Sequence, residues 1–202
     1  MYLYPNNFTD ELIEAFATLD KVCKYIDIPL QHASDRLLDS MNRYDTREQV
    51  ETLLNKLRTR IPGITIRTTV IVGFPGETEE DFEELKDFVE KQRFENAGVF
   101  QYSQEEGTVA GAMENQIAPE VKENRYHELM ALQAGISEEI HQEREEAELE
   151  VLVEGFDEDN LAYGRSTHEA PDIDGTIFIE NADMVRVRIL QGFTYEMVAE
   201  KV

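Results

Sequence analysis

Cysteine, tryptophan and long apolar runs are scarce or missing in this sequence, and each absence excludes a class of protein. The chain has one cysteine, Cys23, and no tryptophan. A single cysteine excludes an intrachain disulfide and any metal site built from several cysteines. No stretch approaches the ~18 consecutive apolar residues of a membrane-spanning helix, and residues 1–5 lack the basic and apolar regions of a signal peptide. We therefore expect a cytoplasmic protein without a membrane segment.

Basic residues are also few. The chain has 19 Lys and Arg residues against 43 Asp and Glu residues, which gives a net charge of −24. Proteins that bind nucleic acid nonspecifically gain most of their affinity from basic side chains, so this class is disfavoured. An acidic surface suits a basic protein partner, although many cytosolic proteins are acidic without such a partner. The 202 residues, 41% of them hydrophobic, are enough for one large or two small folded domains.

Strand-like segments alternate with helical patterns over residues 1–103. Residues 1–5 read as the end of a strand, and residues 23–30 read as a short strand that Pro29 ends. The continuous β-branched run at 65–74 is typical of a strand that is buried on both faces. Strands that alternate with helices predict a parallel α/β sheet with right-handed crossovers.

Helix starts are marked by capping residues. Ser34, Thr46 and Thr78 each precede a helical pattern and are predicted N-caps, and Thr78 forms a capping-box pattern with Asp81. A long helix is predicted over about 119–148, after a loop that contains glycine.

The pattern changes after this long helix. Five short strand-like runs separated by turn residues predict a small all-β barrel at 148–202. This segment has 13 acidic and 4 basic residues, a net charge of −9. We place the domain boundary near residue 147, so that the predicted domains are 1–147 and 148–202.

Three strand ends carry candidate binding residues, because ligands of α/β proteins sit at the carboxyl ends of strands. The first candidate is Gly73, Phe74, Pro75 and Gly76, whose glycines would let a ligand approach the backbone, although a tight turn also explains them. The second is Gln31, His32 and Ser34, which could instead be ordinary cap chemistry with a surface histidine. The third is Phe100, Gln101, Tyr102 and Ser103, which could instead be core packing.

The loop 164–175 in the predicted β unit holds several acidic residues. Glu169, Asp172 and Asp174 do not have the spacing of an EF-hand calcium loop. His168 has no neighbouring histidine or cysteine and is expected to be solvated. The loop is better interpreted as a turn or as a surface for a basic partner.

Four segments together resemble one family. "YIDIPLQHASDRLLDSMNR", "RTTVIVGFPGETEEDFEEL", "GVFQYSQEEGT" and "GRSTHEAPDIDG" are similar to the radical-SAM methylthiotransferases, and among these to the RimO branch. The resemblance covers about residues 1–200. It implies part of a radical-SAM (β/α) barrel followed by a TRAM β-barrel, and methylthiolation of the β-carbon of an aspartate in small-subunit ribosomal protein twelve.

The resemblance also implies site residues. S-adenosylmethionine would lie beside Gln31, Ser34, Gly73, Phe74, Pro75, Gly76, Phe100, Gln101 and Tyr102. Arg67 or Thr69 would point into the barrel. In the TRAM unit, Arg165, Asp172 and Asp174 are expected to contact the ribosomal protein. The acidity of this unit disfavours nucleic acid as the partner.

The sequence departs from the family pattern in its cysteines. Members hold two 4Fe-4S clusters with a CxxxCxxC loop and with further cysteines of an N-terminal domain, and Cys23 cannot replace either set. The chain reads as if it began inside the third barrel strand, so it is expected to be catalytically inactive alone. Two alternatives stay open: a truncated, non-catalytic module that binds the ribosomal protein, and a MiaB-type enzyme that modifies tRNA.

Overall fold

The computed structural model describes residues 3–159, 161–179 and 184–201. The chain divides into two compact units, one formed by residues 1–18 and 26–133 and the other by residues 19–25 and 134–202. The predicted boundary near residue 147 stays a prediction.

The first unit is an α/β assembly, as the alternating pattern predicts. In chain order its elements are α1 (Asp10–Thr18), β1 (Tyr25–Gln31), α2 (Asp35–Ser40), α3 (Arg47–Arg60), β2 (Thr65–Val72), α4 (Glu79–Gln92) and β3 (Asn96–Gln101). The long helix α5 (Pro119–Glu143) follows. The strands form one sheet in the order β1-β2-β3. β2 and β3 pair in parallel, with Arg67 opposite Asn96 and Ile71 opposite Phe100.

Local hydrogen bonds fix the starts of α3 and α4 where the sequence predicts them. The Thr46 hydroxyl accepts from the Gln49 amide while the Gln49 side chain accepts from the Thr46 amide. Thr78 and Asp81 form the same reciprocal capping box at α4. Each box satisfies amide groups that a helix start leaves without intrahelical partners.

Strand β2 has one covered face, so the prediction that it is buried on both faces is wrong. Residues 66, 68, 70 and 72 are buried, whereas Arg67, Thr69 and Ile71 are half-buried. The alternation follows from the pleat, which points successive side chains to opposite faces of the sheet. One face is therefore in the core, and the other forms an open face of the sheet. The core of the unit includes Ile26, Ile28, Leu54, Leu57, Ile66, Val70, Phe82, Leu85 and Phe88.

Three predicted boundaries differ in the structure. Residues 3 and 4 are not in a strand and lead into a 3-10 turn at Pro5–Asn7, although the Leu3 amide donates to the Asp27 carbonyl (3.1 Å); residues 1 and 2 lie outside the described residues. Pro29 lies within β1 and does not end it, which an edge strand tolerates because one side needs no ladder donor. Helix α5 ends at Glu143, five residues before the predicted end.

The second unit contains the predicted β-barrel. Its strands are β4 (Glu148–Phe156), β5 (Ala162–Arg165), β6 (Thr176–Ile179), β7 (Met184–Gly192) and β8 (Glu196–Lys201). They close in the order β4-β5-β6-β8-β7, and the described strands pair antiparallel except for the parallel pair β6–β8. The barrel core consists of Val151, Ala162, Ile177, Ile179, Val187, Ile189, Met197 and Ala199. Among the described residues of both units, no helix has the length and apolarity needed to cross a membrane.

Candidate functional site

The turn between β2 and α4 has a backbone that favours glycine at two positions. Gly73 and Gly76 have φ angles of +75° and +81°. A side chain at Gly73 would also overlap the stem of Lys122. The Gly76 amide donates to the Asn115 carbonyl (2.7 Å) and the Glu77 amide to the Phe74 carbonyl (2.9 Å). These contacts hold the turn against the loop that precedes α5.

A buried carboxylate lies under this turn. Glu77, whose side chain is fully buried, accepts from the Gly73 amide, from Arg125 Nη1 (2.7 Å) and from His32 Nε2 (3.1 Å). The Ser34 amide donates to His32 Nδ1 (3.0 Å). Since Nδ1 accepts, Nε2 carries the proton that is donated to Glu77. His32 is thus buried, and the expectation of a surface histidine is wrong.

A second buried carboxylate holds Ser34. Ser34 occupies the N-cap position of α2, but its hydroxyl makes no capping bond and donates instead to Asp81 (2.7 Å). Burial opposes ionisation of Asp81, but hydrogen bonds from Thr78, Ser34 and Arg36 outweigh it and hold the Asp81 pKa well below its usual range. The Ser34 hydroxyl therefore donates its hydrogen bond to a charged carboxylate.

A cavity of about 630 Å³ opens at the ends of the strands. The rings of Phe74 and Tyr102 meet edge to face in its wall, with centroids 5.3 Å apart and planes at 71°. Its lining residues are Tyr4, Gln31, Ser40, Met41, Asn42, Arg43, Ile71, Phe74, Tyr102, Val109 and Ala110.

Three buried polar atoms of this cavity's residues lack a hydrogen-bond partner within the part of the chain that the structure describes. They are Gln31 Oε1, Arg43 Nε and the Tyr102 hydroxyl. Buried polar groups are nearly always paired, so each such atom calls for an explanation. Gln31 also has a φ of +72°, a strained backbone conformation for a non-glycine residue of the kind that clusters at binding sites. The strained backbone of Gln31 is thus the feature of this cavity wall that is typical of a binding site.

A smaller cavity of about 340 Å³ lies on the open face of the sheet. Pro29, Gln31, Arg67, Thr69 and Phe100 line it. Arg67 and Thr69 therefore face the same space. The sequence alone did not determine which of them points inward. Gln31 lines both cavities, so the two are neighbours.

The predicted strand-end residues thus separate into groups. Gln31, Phe74 and Tyr102 line the larger cavity, whereas Phe100 lines the smaller one. Gly73, Pro75 and Gly76 shape the turn, Ser34 is bonded to Asp81, and Gln101 and Ser103 are exposed.

Arg43 is a lining residue that sequence reasoning missed. It follows α2 in the segment "MNRYDT", which carries no motif. Its Nη2 donates to the Pro29 carbonyl (2.6 Å), and its guanidinium lies 4.7 Å from the centre of the Tyr4 ring. These long-range contacts bring it to the cavity.

Metal ligands are not assembled in the described ranges. No group of three or more His, Cys, Asp or Glu residues there has the arrangement of a metal site. Cys23 is exposed and is not in a disulfide.

The predicted partner-binding residues lie in the second unit. Arg165 donates to Glu154 (2.7 Å) across β4 and β5. Asp174 accepts from the Tyr25 hydroxyl (2.5 Å) and from the Ala170 amide (2.8 Å). Asp172 is exposed, with a φ of +62°. The loop therefore presents Asp172 to solvent, while Asp174 stabilises the loop itself.

His168 and Glu169 are more enclosed than the sequence suggests. Glu169 is buried and accepts from the Ser166 amide (2.8 Å) and hydroxyl (2.7 Å). His168 is half-buried, so the expectation that it is solvated is wrong. Burial, with a smaller contribution from the charge of Arg144, lowers the pKa of His168 to about 4.

Comparison with known proteins assigns a family model to each unit. Residues 1–89 match the model of the Radical SAM superfamily, and residues 147–202 match that of the TRAM domain. In solved structures, the chain is similar in fold to coproporphyrinogen III oxidase (HemN) of Escherichia coli, described as a Radical SAM enzyme. That likeness has a TM-score of 0.57 and 17% identity, over 67% of this chain and 31% of the other.

Curated relatives extend the match along the whole chain. The ribosomal protein uS12 methylthiotransferase RimO of Desulforamulus reducens is 50% identical over 99% of this chain and 47% of its own length. The protein of the same name from Caldanaerobacter subterraneus subsp. tengcongensis is 48% identical over 99% of this chain and 47% of its own length. This chain thus spans about half the length of these relatives. The parallel sheet, the β-barrel and this identity together show that the chain belongs to the RimO-type radical-SAM family.

Proposed function

We propose that this chain is the part of a cytoplasmic uS12 methylthiotransferase that holds S-adenosylmethionine and contacts the substrate protein. The carrying observation is the cavity at the strand ends, whose wall includes the polar residues Gln31, Arg43 and Tyr102. The names of the relatives support the reaction class.

The larger cavity fits an adenosyl amino acid in size and in chemistry. Its volume of about 630 Å³ lies in the range of small-molecule sites. Arg43 suits a carboxylate because a guanidinium presents several donors in one plane, and Gln31 and Tyr102 suit ribose hydroxyls and ring nitrogens. Phe74 adds an apolar wall. We assign cofactor contacts also to the remaining predicted residues: Ser34, Gly73, Pro75, Gly76, Phe100 and Gln101.

When bound, S-adenosylmethionine supplies, together with an iron–sulfur cluster, the radical chemistry that replaces an unactivated C–H bond of the aspartate β-carbon. The residues of this chain do not fit the two 4Fe-4S clusters of the family, since such clusters need several cysteine thiolates and the chain has only Cys23. The role of this chain is to bind, orient and shield. We therefore expect no turnover from this chain alone, and formation of 5′-deoxyadenosine after addition of iron and sulfide would contradict this.

The β-barrel is proposed to contact the ribosomal protein, with Arg165, Asp172 and Asp174 at the contact. The net charge of −9 over residues 148–202 favours a basic protein over tRNA. Raised salt should weaken such binding by screening. Equal affinity for tRNA and for the ribosomal protein would favour the MiaB-type alternative.

Calorimetric titration of the 202-residue chain with S-adenosylmethionine tests the cofactor role. We expect measurable binding, and at least about tenfold weaker binding for Tyr102→Phe and for Arg43→Gln, because the first removes a hydroxyl and the second removes the charged guanidinium. Tyr44→Phe is the matched control, since Tyr44 is 80% exposed. Absence of binding to the folded chain would overturn the cofactor role. If the chain bound the ribosomal protein but did not bind S-adenosylmethionine, its function would be that of the non-catalytic binding module. The single cysteine of the chain favours this alternative.

A further inference from the structure

Lys122, near the start of α5, contacts both strand ends that flank the larger cavity. Its ammonium group donates a hydrogen bond to the Tyr102 carbonyl (2.9 Å), just after β3. Its aliphatic stem occupies the space where a side chain at Gly73 would begin, just after β2. Lys122 is half-buried in this position. One side chain of α5 thus joins the end of β2 to the end of β3.

Tyr102 is held by contacts on its backbone and on its ring. Its amide donates to the Val72 carbonyl (2.9 Å), while its carbonyl accepts from Lys122. The Lys122 Nζ also lies 5.0 Å from the centre of the Tyr102 ring, within the range of a cation–π interaction. The ring in turn meets Phe74 edge to face in the cavity wall. The direction in which the ring enters the cavity therefore depends on Lys122.

A lysine suits these contacts because its stem is apolar and its head is charged. The Lys122 β-carbon and δ-carbon lie 3.2 Å and 3.0 Å from the place where a side chain at Gly73 would begin, so the missing side chain makes room for the stem. The charged head gives a stronger hydrogen bond to the Tyr102 carbonyl than a neutral donor would. Gly73, Lys122 and Tyr102 therefore pack as one group.

We propose that Lys122 is a positioning residue that orients the Tyr102 ring for the ligand of the larger cavity. The proposal rests on the proposed function, since it takes this ligand to be S-adenosylmethionine. Lys122 is not among the residues that line the cavity, so it acts through Tyr102. A ring that is oriented before the ligand arrives loses less freedom on binding, which strengthens the binding.

Nuclear magnetic resonance of a chain with ¹³C-labelled tyrosine and phenylalanine rings tests this orientation without any ligand. Tyr102→Phe assigns the Tyr102 ring signals by their loss. Lys122→Met keeps an unbranched stem and removes the ammonium group. We expect it to shift the Tyr102 ring signals and to weaken the nuclear Overhauser effect between the Tyr102 and Phe74 rings. Lys91→Met, at a lysine whose side chain is 64% exposed, is the matched control and should change neither.

Calorimetric titration with S-adenosylmethionine tests what the orientation does for binding. Loss of the Tyr102 hydroxyl should weaken binding at least about tenfold, so misplacing it should have a smaller effect. We expect Lys122→Met to weaken binding about fivefold in the wild-type background. In the Tyr102→Phe background the same change should weaken binding less than about twofold, because no hydroxyl is left to be placed. A general loss of stability would weaken binding equally in both backgrounds.

The outcomes separate this proposal from the proposed function. Unmoved Tyr102 ring signals in Lys122→Met, or an equal loss of affinity in the two backgrounds, would overturn the proposal even where S-adenosylmethionine binds the wild type. Shifted ring signals in a chain that does not bind S-adenosylmethionine would support the hold of Lys122 on the ring and refute the cofactor role. A nuclear Overhauser effect between the Lys122 ε-methylene protons and the Tyr102 ring needs no variant. Its absence in the wild type would overturn the proposal even if Lys122→Met fails to fold.

Discussion

Replacement of the buried Glu77 by glutamine should destabilise the first unit strongly. Three donors converge on the Glu77 carboxylate, from Gly73, His32 and Arg125. A glutamine has one acceptor oxygen, so its amide N–H₂ must face at least one of these donors. Rotation of the amide does not remove this conflict. If the amide N–H₂ faced His32, the ring would have to move its proton from Nε2 to Nδ1. Nδ1 already accepts from the Ser34 amide, so two donors would then face each other there.

The expected loss follows from the burial of the ion pair. Removal of one partner of a buried pair costs about 3–5 kcal/mol, because the other charge stays buried. Arg125 is buried but also donates to Glu79 (3.0 Å), which compensates part of its charge. We therefore expect Glu77→Gln to lower the free energy of unfolding by about 3 kcal/mol, the lower end of that range.

Urea unfolding followed by far-ultraviolet circular dichroism measures this loss. Glu79→Gln is the matched control, since Glu79 bonds to the same arginine but its side chain is 74% exposed. Such an exposed pair contributes less than about 1 kcal/mol. In the Glu77→Gln background, Arg125→Met should cost less than in the wild type, because both changes disrupt the same pair. A loss for Glu77→Gln no larger than that for Glu79→Gln would refute the reasoning.

Two further predictions concern the backbone of the turn and the pH response of the second unit. Gly73→Ala should lower the free energy of unfolding by about 2 kcal/mol because of its positive φ, and by a further amount because Lys122 must move; it should also weaken S-adenosylmethionine binding. The control is Gly63→Ala, at a residue with a φ of +76° and open space around it. This variant should show the backbone cost alone and bind S-adenosylmethionine normally. The pKa of His168, lowered to about 4 by burial, makes protonation unfavourable in the fold. Its stability contribution is therefore full above pH ~6.5 and falls by about 3 kcal/mol as the pH drops to about 4. His168→Gln should flatten this part of the pH–stability curve, measured by urea unfolding, and an unchanged slope would contradict the assignment.

Local chemistry is what the sequence by itself determined. Capping boxes at Thr46 and Thr78 and the apolar spacing of α3 and α4 depend on residues three or four apart, so they can be identified from the chain alone. The same holds for the alternation of strands and helices and for the change to short strands after α5. Together with the quoted motifs, these features predicted the fold class and the family, and the structure and the comparisons confirmed both.

Tertiary structure alone decided which side chains meet. The partner of Ser34 is Asp81, 47 residues away, and that of His32 is Glu77, 45 residues away. Arg43 enters the larger cavity through its bond to the Pro29 carbonyl. Arg67 and Thr69 share a cavity because both lie on the less buried face of β2. Such contacts depend on how distant elements pack, and local spacing carries no record of that packing.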